Sequence, residues 1–178
     1  MVRYLILALA LTGCAVSSGT FTRPTDLYNP PPEYPFYYDA LYADLFWRCV
    51  TPEGGGVRVE GYGVSSTRTG TALYGFEVTL VARDAKGTIL ADPWIYGDPR
   101  DADNVTPTAF AISVPATGEG VGYDLRYRFQ TPGGNGNGRA SRGRGVRLVQ
   151  DTGAQEIFGT IEDVCSDKYR RKVTPPGS

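Results

Sequence analysis

A strict two-residue alternation runs through residues 121–130. A strand places one such set of side chains on a buried face and the other set in water, whereas a helix scatters both sets around its axis. The segment therefore predicts one long strand of an antiparallel sheet with a solvated face. The apolar members are Val121, Tyr123, Leu125, Tyr127 and Phe129, and the polar members are Asp124, Arg126, Arg128 and Gln130.

Other alternating segments predict further strands at 57–60, 74–83, 88–90, 110–114, 146–150 and 156–161. Residues 39–48 leave two alternatives open, because Asp39 suits the N-cap of a short helix whereas the apolar run from Leu45 suits a first strand. The 178 residues include 23 glycines and 13 prolines, which supply many turns. Short strands at this spacing predict an all-β domain, either a sandwich or a small barrel.

Residues 76–90 resemble the central hairpin of FxLYD-type and related immunoglobulin-like domains of bacterial envelope proteins. In those domains a long strand ends in an Asp-x-x-Gly turn, as at 84–87 here, and 110–114 suits the next strand. The resemblance implies an immunoglobulin-like antiparallel β-sandwich of about seven or eight strands, in an envelope setting, with no catalytic residues to carry over. The chain departs from the pattern at 92–108, where we expect an inserted loop rich in proline and aspartate.

The amino terminus resembles a bacterial lipoprotein signal peptide. A basic residue, Arg3, precedes an apolar run that is too short to span a bilayer, and the lipobox follows as Leu11, Thr12, Gly13 and Cys14. The resemblance implies cleavage before Cys14 and attachment of diacylglycerol, with fatty acids such as palmitate, to its sulfur. The alternative is a plain secretory signal in which Cys14 is an ordinary residue. Ala15, rather than aspartate, favours the outer membrane, facing the periplasm.

The sequence predicts four successive regions. The signal peptide covers 1–13, a lipidated tether rich in proline and tyrosine covers 14–38, the sandwich covers 39–168, and a disordered tail covers 169–178. The tether's tyrosines either pack back on the domain or form an aromatic surface for a partner or glycan. These residues are Tyr28, Tyr34, Tyr37 and Tyr38.

Two cysteines remain once Cys14 is assigned to lipid. In an oxidising compartment Cys49 and Cys165 predict one disulfide between the start and the end of the domain. The alternative is a reactive or metal-binding thiol. The chain contains no histidine and no Cys-x-x-Cys pair to support that alternative.

Charge and composition limit the chemistry. The formal net charge is −1, and export argues against a nucleic-acid partner. The absence of histidine removes the usual general base and the usual zinc sites, so we expect no catalytic residue, no metal and no cofactor. Residues 97–104 form either a polar turn or a calcium site. A hydrolase that uses only carboxylates is the third functional hypothesis, and its candidate residues are Glu60, Glu77, Asp124, Glu162 and Asp163.

A glycine-rich stretch at 133–145 carries an arginine cluster. The arginines are Arg139, Arg142, Arg144 and, just beyond the stretch, Arg147. They form either a solvated loop or a site for an anionic envelope partner, such as a lipid phosphate, an anionic glycan or an acidic protein.

These observations predict a lipid-anchored, non-catalytic envelope protein that acts as a binding or accessory module in a periplasmic or outer-membrane assembly. The alternative is a carbohydrate- or peptidoglycan-binding module that uses exposed tyrosines. The positions of Tyr62, Trp94 and Tyr96 discriminate between the two, because an exposed aromatic row favours sugar.

Overall fold

The computed structural model describes residues 30–66, 73–97, 108–115, 118, 120–132, 144–148 and 154–172. Within these ranges the chain forms ten strands and a single 3-10 turn, Asp167–Tyr169. The described residues include no helix that is long and apolar enough to cross a membrane. The strands are β1 Phe36–Asp39, β2 Ala43–Val50, β3 Val57–Ser65, β4 Tyr74–Arg83, β5 Ile89–Ala91, β6 Trp94–Gly97, β7 Thr108–Val114, β8 Gly122–Thr131, β9 Arg144–Leu148 and β10 Gln155–Ile161.

Two antiparallel sheets pack face to face. The first sheet has the order β1-β2-β3-β7, and the second has the order β5-β4-β8-β10-β9, with β6 also paired to β4. The strands β2-β3-β7 occupy the A-B-E positions of an immunoglobulin-like sandwich, and β5-β4-β8-β10 occupy the C′-C-F-G positions. The predicted immunoglobulin-like β-sandwich is therefore confirmed.

The strand number exceeds the expected seven or eight for physical reasons. β5 and β6 follow β4 in one register, since Ala91 lies opposite Ala82 and Trp94 opposite Thr79. Pro93 separates them because it lacks an N–H group, although its carbonyl accepts a 3.0 Å hydrogen bond from Leu80 N. The other addition is β1, which extends the first sheet at its edge, whereas β9 corresponds to the strand predicted at 146–150.

The inner faces of both sheets form one apolar core. Phe76 of β4 stacks on Phe110 of β7 across the sandwich, with ring centroids 6.2 Å apart. Trp47 is fully buried, and its indole N–H donates a 2.9 Å hydrogen bond to the Val164 carbonyl. Leu125, Tyr127 and Phe129 all point into this core, as the two-residue alternation of the sequence predicted.

The disulfide between Cys49 and Cys165 is confirmed. It joins β2 of the first sheet to the turn after β10 of the second sheet, with the two Cα atoms 5.8 Å apart. The fully buried Trp47 lies two residues before Cys49 and is hydrogen-bonded to the residue before Cys165. The bond therefore links the two sheets beside the largest side chain of the core.

Residues 39–48 are extended, which settles the choice between helix and strand. Asp39 ends β1 and accepts a 3.0 Å hydrogen bond from Leu41 N, in a turn where Leu41 has φ of +76°. The chain then enters β2 and pairs with β1 as a hairpin. The N-cap character of Asp39 serves this turn instead of a helix.

Residues 30–38 pack on the domain, so the sandwich begins before residue 39, where the sequence placed the end of the tether. Tyr34 is buried against the outer face of the first sheet, where it meets the fully buried Tyr62 at a ring distance of 5.4 Å. Tyr37 and Tyr38 are half-buried on the domain, and Tyr28 lies outside the described residues. Tyr34 and Tyr37 pack there because Phe46 and Tyr62 leave an apolar surface on that face, whereas Tyr38 packs against Tyr127 and Tyr169 beside the main core.

The tail expected to be disordered from residue 169 is ordered as far as residue 172. Tyr169 packs on Trp47 with a ring distance of 5.7 Å. Arg171 donates to the carbonyls of Pro30 at 2.8 Å and Tyr34 at 3.1 Å, and its own N–H donates to Pro35. The final turn therefore fastens the proline-rich segment over the first sheet. Residues 173–178 lie outside the described part of the chain.

Gly61 allows close approach within the first sheet. A Cβ added there would lie 2.2 Å from the Phe46 carbonyl oxygen and 2.9 Å from the Phe110 ring. Only a residue without a side chain fits between the strand and the core at this point.

Candidate binding surface

The two sheets differ in what covers their outer faces. The proline-rich segment covers Tyr62 on the first sheet, whereas the second sheet carries a shallow open groove of about 730 Å³ on its outer face. We call this feature the outer groove. Its lining side chains are those of Glu77, Thr79, Arg126, Arg128, Arg147, Glu156, Phe158 and Thr160, with backbone from Tyr127 and Gly159.

Strand register arranges this face in two rows. The first row runs from Trp94 on β6 through Thr79 and Arg126 to Thr160 on β10. The second row runs through Tyr96, Glu77, Arg128 and Phe158 on the same four strands. Because neighbouring strands are about 4.8 Å apart, each row spans about 14 Å across the sheet.

Exposed aromatic rings border the groove at its β6 side. Trp94 is 65% exposed and Tyr96 is 53% exposed, whereas Ile95 between them packs against the core. The Trp-Ile-Tyr alternation turns both aromatic rings to the same outer face. Tyr74, at the start of β4, is also exposed and lines an adjoining hollow of about 280 Å³ with Tyr96. We call Tyr74, Trp94 and Tyr96 the aromatic rim.

Tyr96 packs against β4 at Gly75. A Cβ added to Gly75 would lie 3.3 Å from the Tyr96 hydroxyl and within 4.0 Å of its ring. Gly75 has φ of +56°, a conformation that glycine adopts without strain. The glycine therefore leaves room for the tyrosine ring to rest over β4.

Ion pairs fill the centre of the groove. The buried Glu156 carboxylate accepts a 2.9 Å hydrogen bond from Arg147 Nε and lies 3.6 Å from Arg128 Nη1. Arg128 also donates a 2.5 Å hydrogen bond to Glu77, and this bond raises the pKa of Arg128. The two glutamates are therefore each neutralised by an arginine.

Arg126 is the exposed cation of the first row. Within the ranges that the structure describes it makes no hydrogen bond or salt bridge, although its charge acts on the nearby Asp124, which Arg83 pairs. Four other groove-lining residues, Glu77, Arg128, Arg147 and Glu156, form salt bridges with one another. The described lining carries three arginines and two glutamates, which leaves one positive charge in excess at Arg126. The groove is thus suited to an anionic group at this point.

Of the sequence-predicted carboxylates, Asp124 and Asp163 lie together beside Arg83, whereas Glu60 and Glu77 lie apart from them. Glu60 lies on the first sheet and accepts hydrogen bonds from Arg48 at 2.6 Å and Arg58 at 2.5 Å. Burial opposes ionisation of Glu60, but the two arginines outweigh it and leave its pKa below the ordinary value. Glu162 and Asp163 are exposed in the turn after β10.

Asp124 is held by charge-assisted hydrogen bonds. Arg83 donates to it at 2.6 and 3.0 Å, and the backbone N–H of Asp163 donates at 2.9 Å. Burial raises the pKa of Asp124, yet these donors and the Arg83 charge more than compensate and hold the pKa below its usual range. The arrangement favours a structural carboxylate that stays ionised.

The arginine cluster predicted from sequence is only partly described. Arg147 lies on β9 and pairs with Glu156 in the outer groove, while Arg144 begins β9. Arg139 and Arg142 lie outside the described residues, as do Leu11, Thr12, Gly13 and Cys14 and most of the acidic loop at 97–104. No group of metal-ligating side chains occurs among the residues that are described.

Sequence reasoning placed Trp94 and Tyr96 in an inserted loop at 92–108. The structure corrects this assignment, because 94–97 form β6 and pair with β4. The Trp-Ile-Tyr alternation was the available signal, but Pro93 next to it suggested a loop. Comparisons of the chain with protein-family models, with curated proteins and with solved structures found no match.

Proposed function

We propose that the chain is a lipid-anchored, non-catalytic cell-envelope protein. It serves as a binding or accessory module in a periplasmic or outer-membrane assembly, and the outer face of the second sheet is its recognition surface. The lipobox at 11–14 and the disulfide Cys49–Cys165 support this setting, since disulfides persist in oxidising compartments.

The outer groove is the observation on which the proposal rests. It is open and shallow, its glutamates are paired with arginines, and exposed aromatic rings stand beside it. Surfaces that combine exposed aromatic side chains with arginine are typical of recognition sites. The covered outer face of the first sheet offers no comparable surface around Tyr62.

A carbohydrate-binding role is the second candidate. The exposure of Trp94 and Tyr96 on one face supports it, because the C–H face of a sugar ring packs on aromatic rings. The expected contribution of Tyr62 is excluded, since that ring is fully buried.

The hydrolase hypothesis receives no support from the geometry of the described carboxylates. A glycosidase needs two carboxyl groups on either side of the scissile bond, one of which carries a proton. Glu60 and Asp124 have lowered pKa values and lie on different sheets. Glu77 and Glu156 share the outer groove, but Arg128 bridges them.

The lipid anchor is tested by detergent phase partitioning of the protein from its own cells. We expect the natural protein to enter the detergent phase and the Cys14→Ser variant to stay in the aqueous phase. Mass spectrometry should find the natural chain beginning at an acylated Cys14. A natural protein with an intact residue 1–13 segment, or with an unmodified Cys14, contradicts the anchor.

The recognition surface is tested by photo-crosslinking in intact cells. A photoreactive residue replaces Thr79 or Thr160 in the outer groove, and the matched control replaces Lys86 in the exposed turn after β4. We expect defined adducts from the two groove positions and none from the control. Adducts that are equal at all three positions, or absent from the groove, contradict the assignment of this face.

A further inference from the structure

We propose that the outer face of the second sheet binds a glycan whose pyranose rings carry carboxylates, with Trp94 and Tyr96 stacking on the sugar and Arg126 pairing with a carboxylate. This inference rests on the proposed recognition role of that face and names its ligand. The proposed site differs from the arginine cluster at 139–147 that the sequence predicted, because Arg126 lies on β8 in the middle of the second sheet.

The aromatic contribution comes from two rings held in place by the sheet. Trp94 and Tyr96 are separated by one residue of β6, so their Cα atoms are about 7 Å apart along the strand. Tyr96 is supported from beneath by Gly75. A pyranose presents C–H groups on its flat faces, and a supported, exposed ring accepts such a face with little loss of conformational entropy.

The polar contribution comes from the same two rows. Thr79 lies directly beside Trp94 on the next strand, and Arg126 follows on the strand after that, about 10 Å from Trp94. Glu77 lies directly beside Tyr96. A sugar stacked on Trp94 therefore places its equatorial hydroxyl groups towards a hydroxyl and a guanidinium.

The charge of the groove selects an acidic sugar over a neutral one. Arg128 and Arg147 already neutralise Glu77 and Glu156, whereas Arg126 makes no salt bridge within the described residues and interacts electrostatically with Asp124, a carboxylate that Arg83 already pairs. A guanidinium offers two parallel N–H donors that match a carboxylate. A carboxylate on the ring next to the stacked sugar would complete this pair.

A protein partner fits the surface less well. The centre of a protein interface is apolar and depleted of charge. Here the exposed rings of the rim and Phe158 stand on opposite sides of a charged centre formed by Glu77, Arg128 and Glu156. Alternating apolar and polar surface matches the amphipathic edge and face of a sugar chain.

The two tryptophans make the site directly observable. Trp47 is fully buried and Trp94 is 65% exposed, so quenching of tryptophan fluorescence by acrylamide reports on Trp94. The probes are tetragalacturonate, its fully methyl-esterified form, and soluble peptidoglycan fragments with free carboxylates. We expect acidic probes to protect Trp94 from quenching and to bind at least tenfold more tightly than the methyl ester.

Variants separate the two contributions. Arg126→Gln should abolish the preference for the acidic probe, and Trp94→Ala, assayed by calorimetry, should weaken both forms at least tenfold. Leu90→Ala is the matched control, because Leu90 is exposed on β5 of the same sheet edge. It should bind like the natural protein, and an unchanged far-UV circular dichroism spectrum in each variant confirms folding.

Two results overturn the inference. Equal binding of acidic and esterified probes with no effect of Arg126→Gln refutes the carboxylate pairing. Absence of protection by every acidic probe at millimolar concentration refutes the glycan site. The photo-crosslinking at Thr79 and Thr160 has a separate outcome, since protein adducts there in the absence of glycan binding would leave the recognition face intact and reject this ligand.

Discussion

The disulfide gives the largest single stability change that the fold predicts. Cys49 and Cys165 are separated by 116 residues. In the chain-entropy model, a closed loop of that length lowers the entropy of the unfolded chain enough to stabilise the folded state by about 5 kcal/mol. Replacing both cysteines with alanine should therefore remove at least about a third of the stability of a domain whose total is about 5–15 kcal/mol.

Urea unfolding followed by circular dichroism measures this loss. The midpoint of thermal unfolding should fall by about 10–20 °C, and the urea m-value should rise because the unlinked chain exposes more surface when unfolded. Reduction of the natural protein is the matched control, since it breaks the bond and keeps both sulfur atoms. A loss below about 1 kcal/mol with an unchanged m-value would refute the reasoning, since the link must act on the unfolded chain.

Three further perturbations test the packing and the charges. Trp47→Phe should cost about 1–3 kcal/mol in urea unfolding because the Val164 carbonyl loses the hydrogen bond from the indole N–H. A neutral result contradicts a stabilising role for that hydrogen bond. The free energy of unfolding should be level above about pH 4 and fall as pH drops through the lowered pKa of Asp124. Asp124→Asn should reduce the slope of unfolding free energy against pH, and an unchanged slope rejects the role of that carboxylate. Gly61→Ala should lower the free energy of unfolding by about 1–3 kcal/mol. Gly122→Ala is the control, because its added Cβ meets its neighbours at 3.5 Å or more and its stability should match that of the natural protein. Equal losses in the two variants contradict the close approach at Gly61.

The alternation in the sequence predicted the sandwich because side-chain period determines which face of a strand is buried. The long strand β8 shows this most clearly, since Leu125, Tyr127 and Phe129 are all buried and Arg126 and Arg128 are exposed. The disulfide followed from composition, because two cysteines in an oxidising setting have one pairing. Both inferences depend on sequence patterns whose structural outcome is not changed by contacts elsewhere in the fold.

The position of the candidate site could not be derived in the same way. Pro93 interrupts the edge strand, and a sequence pattern cannot reveal that the chain resumes its register at Trp94 opposite Thr79. The coverage of Tyr62 also depends on a distant event, because Arg171 fastens the segment at 30–35 over the first sheet. Which outer face stays bare is therefore a property of contacts between remote parts of the chain.

Oxidative footprinting in the native envelope tests the central claim most directly. The account predicts that hydroxyl radicals oxidise Trp94 and Tyr96 readily in the purified protein, and that both residues become protected in intact envelopes. Exposed apolar residues away from the outer groove, Leu41 and Ile89, should react equally in both settings. Equal oxidation of Trp94 and Tyr96 in purified protein and in the envelope would contradict the claim that this face is the recognition surface.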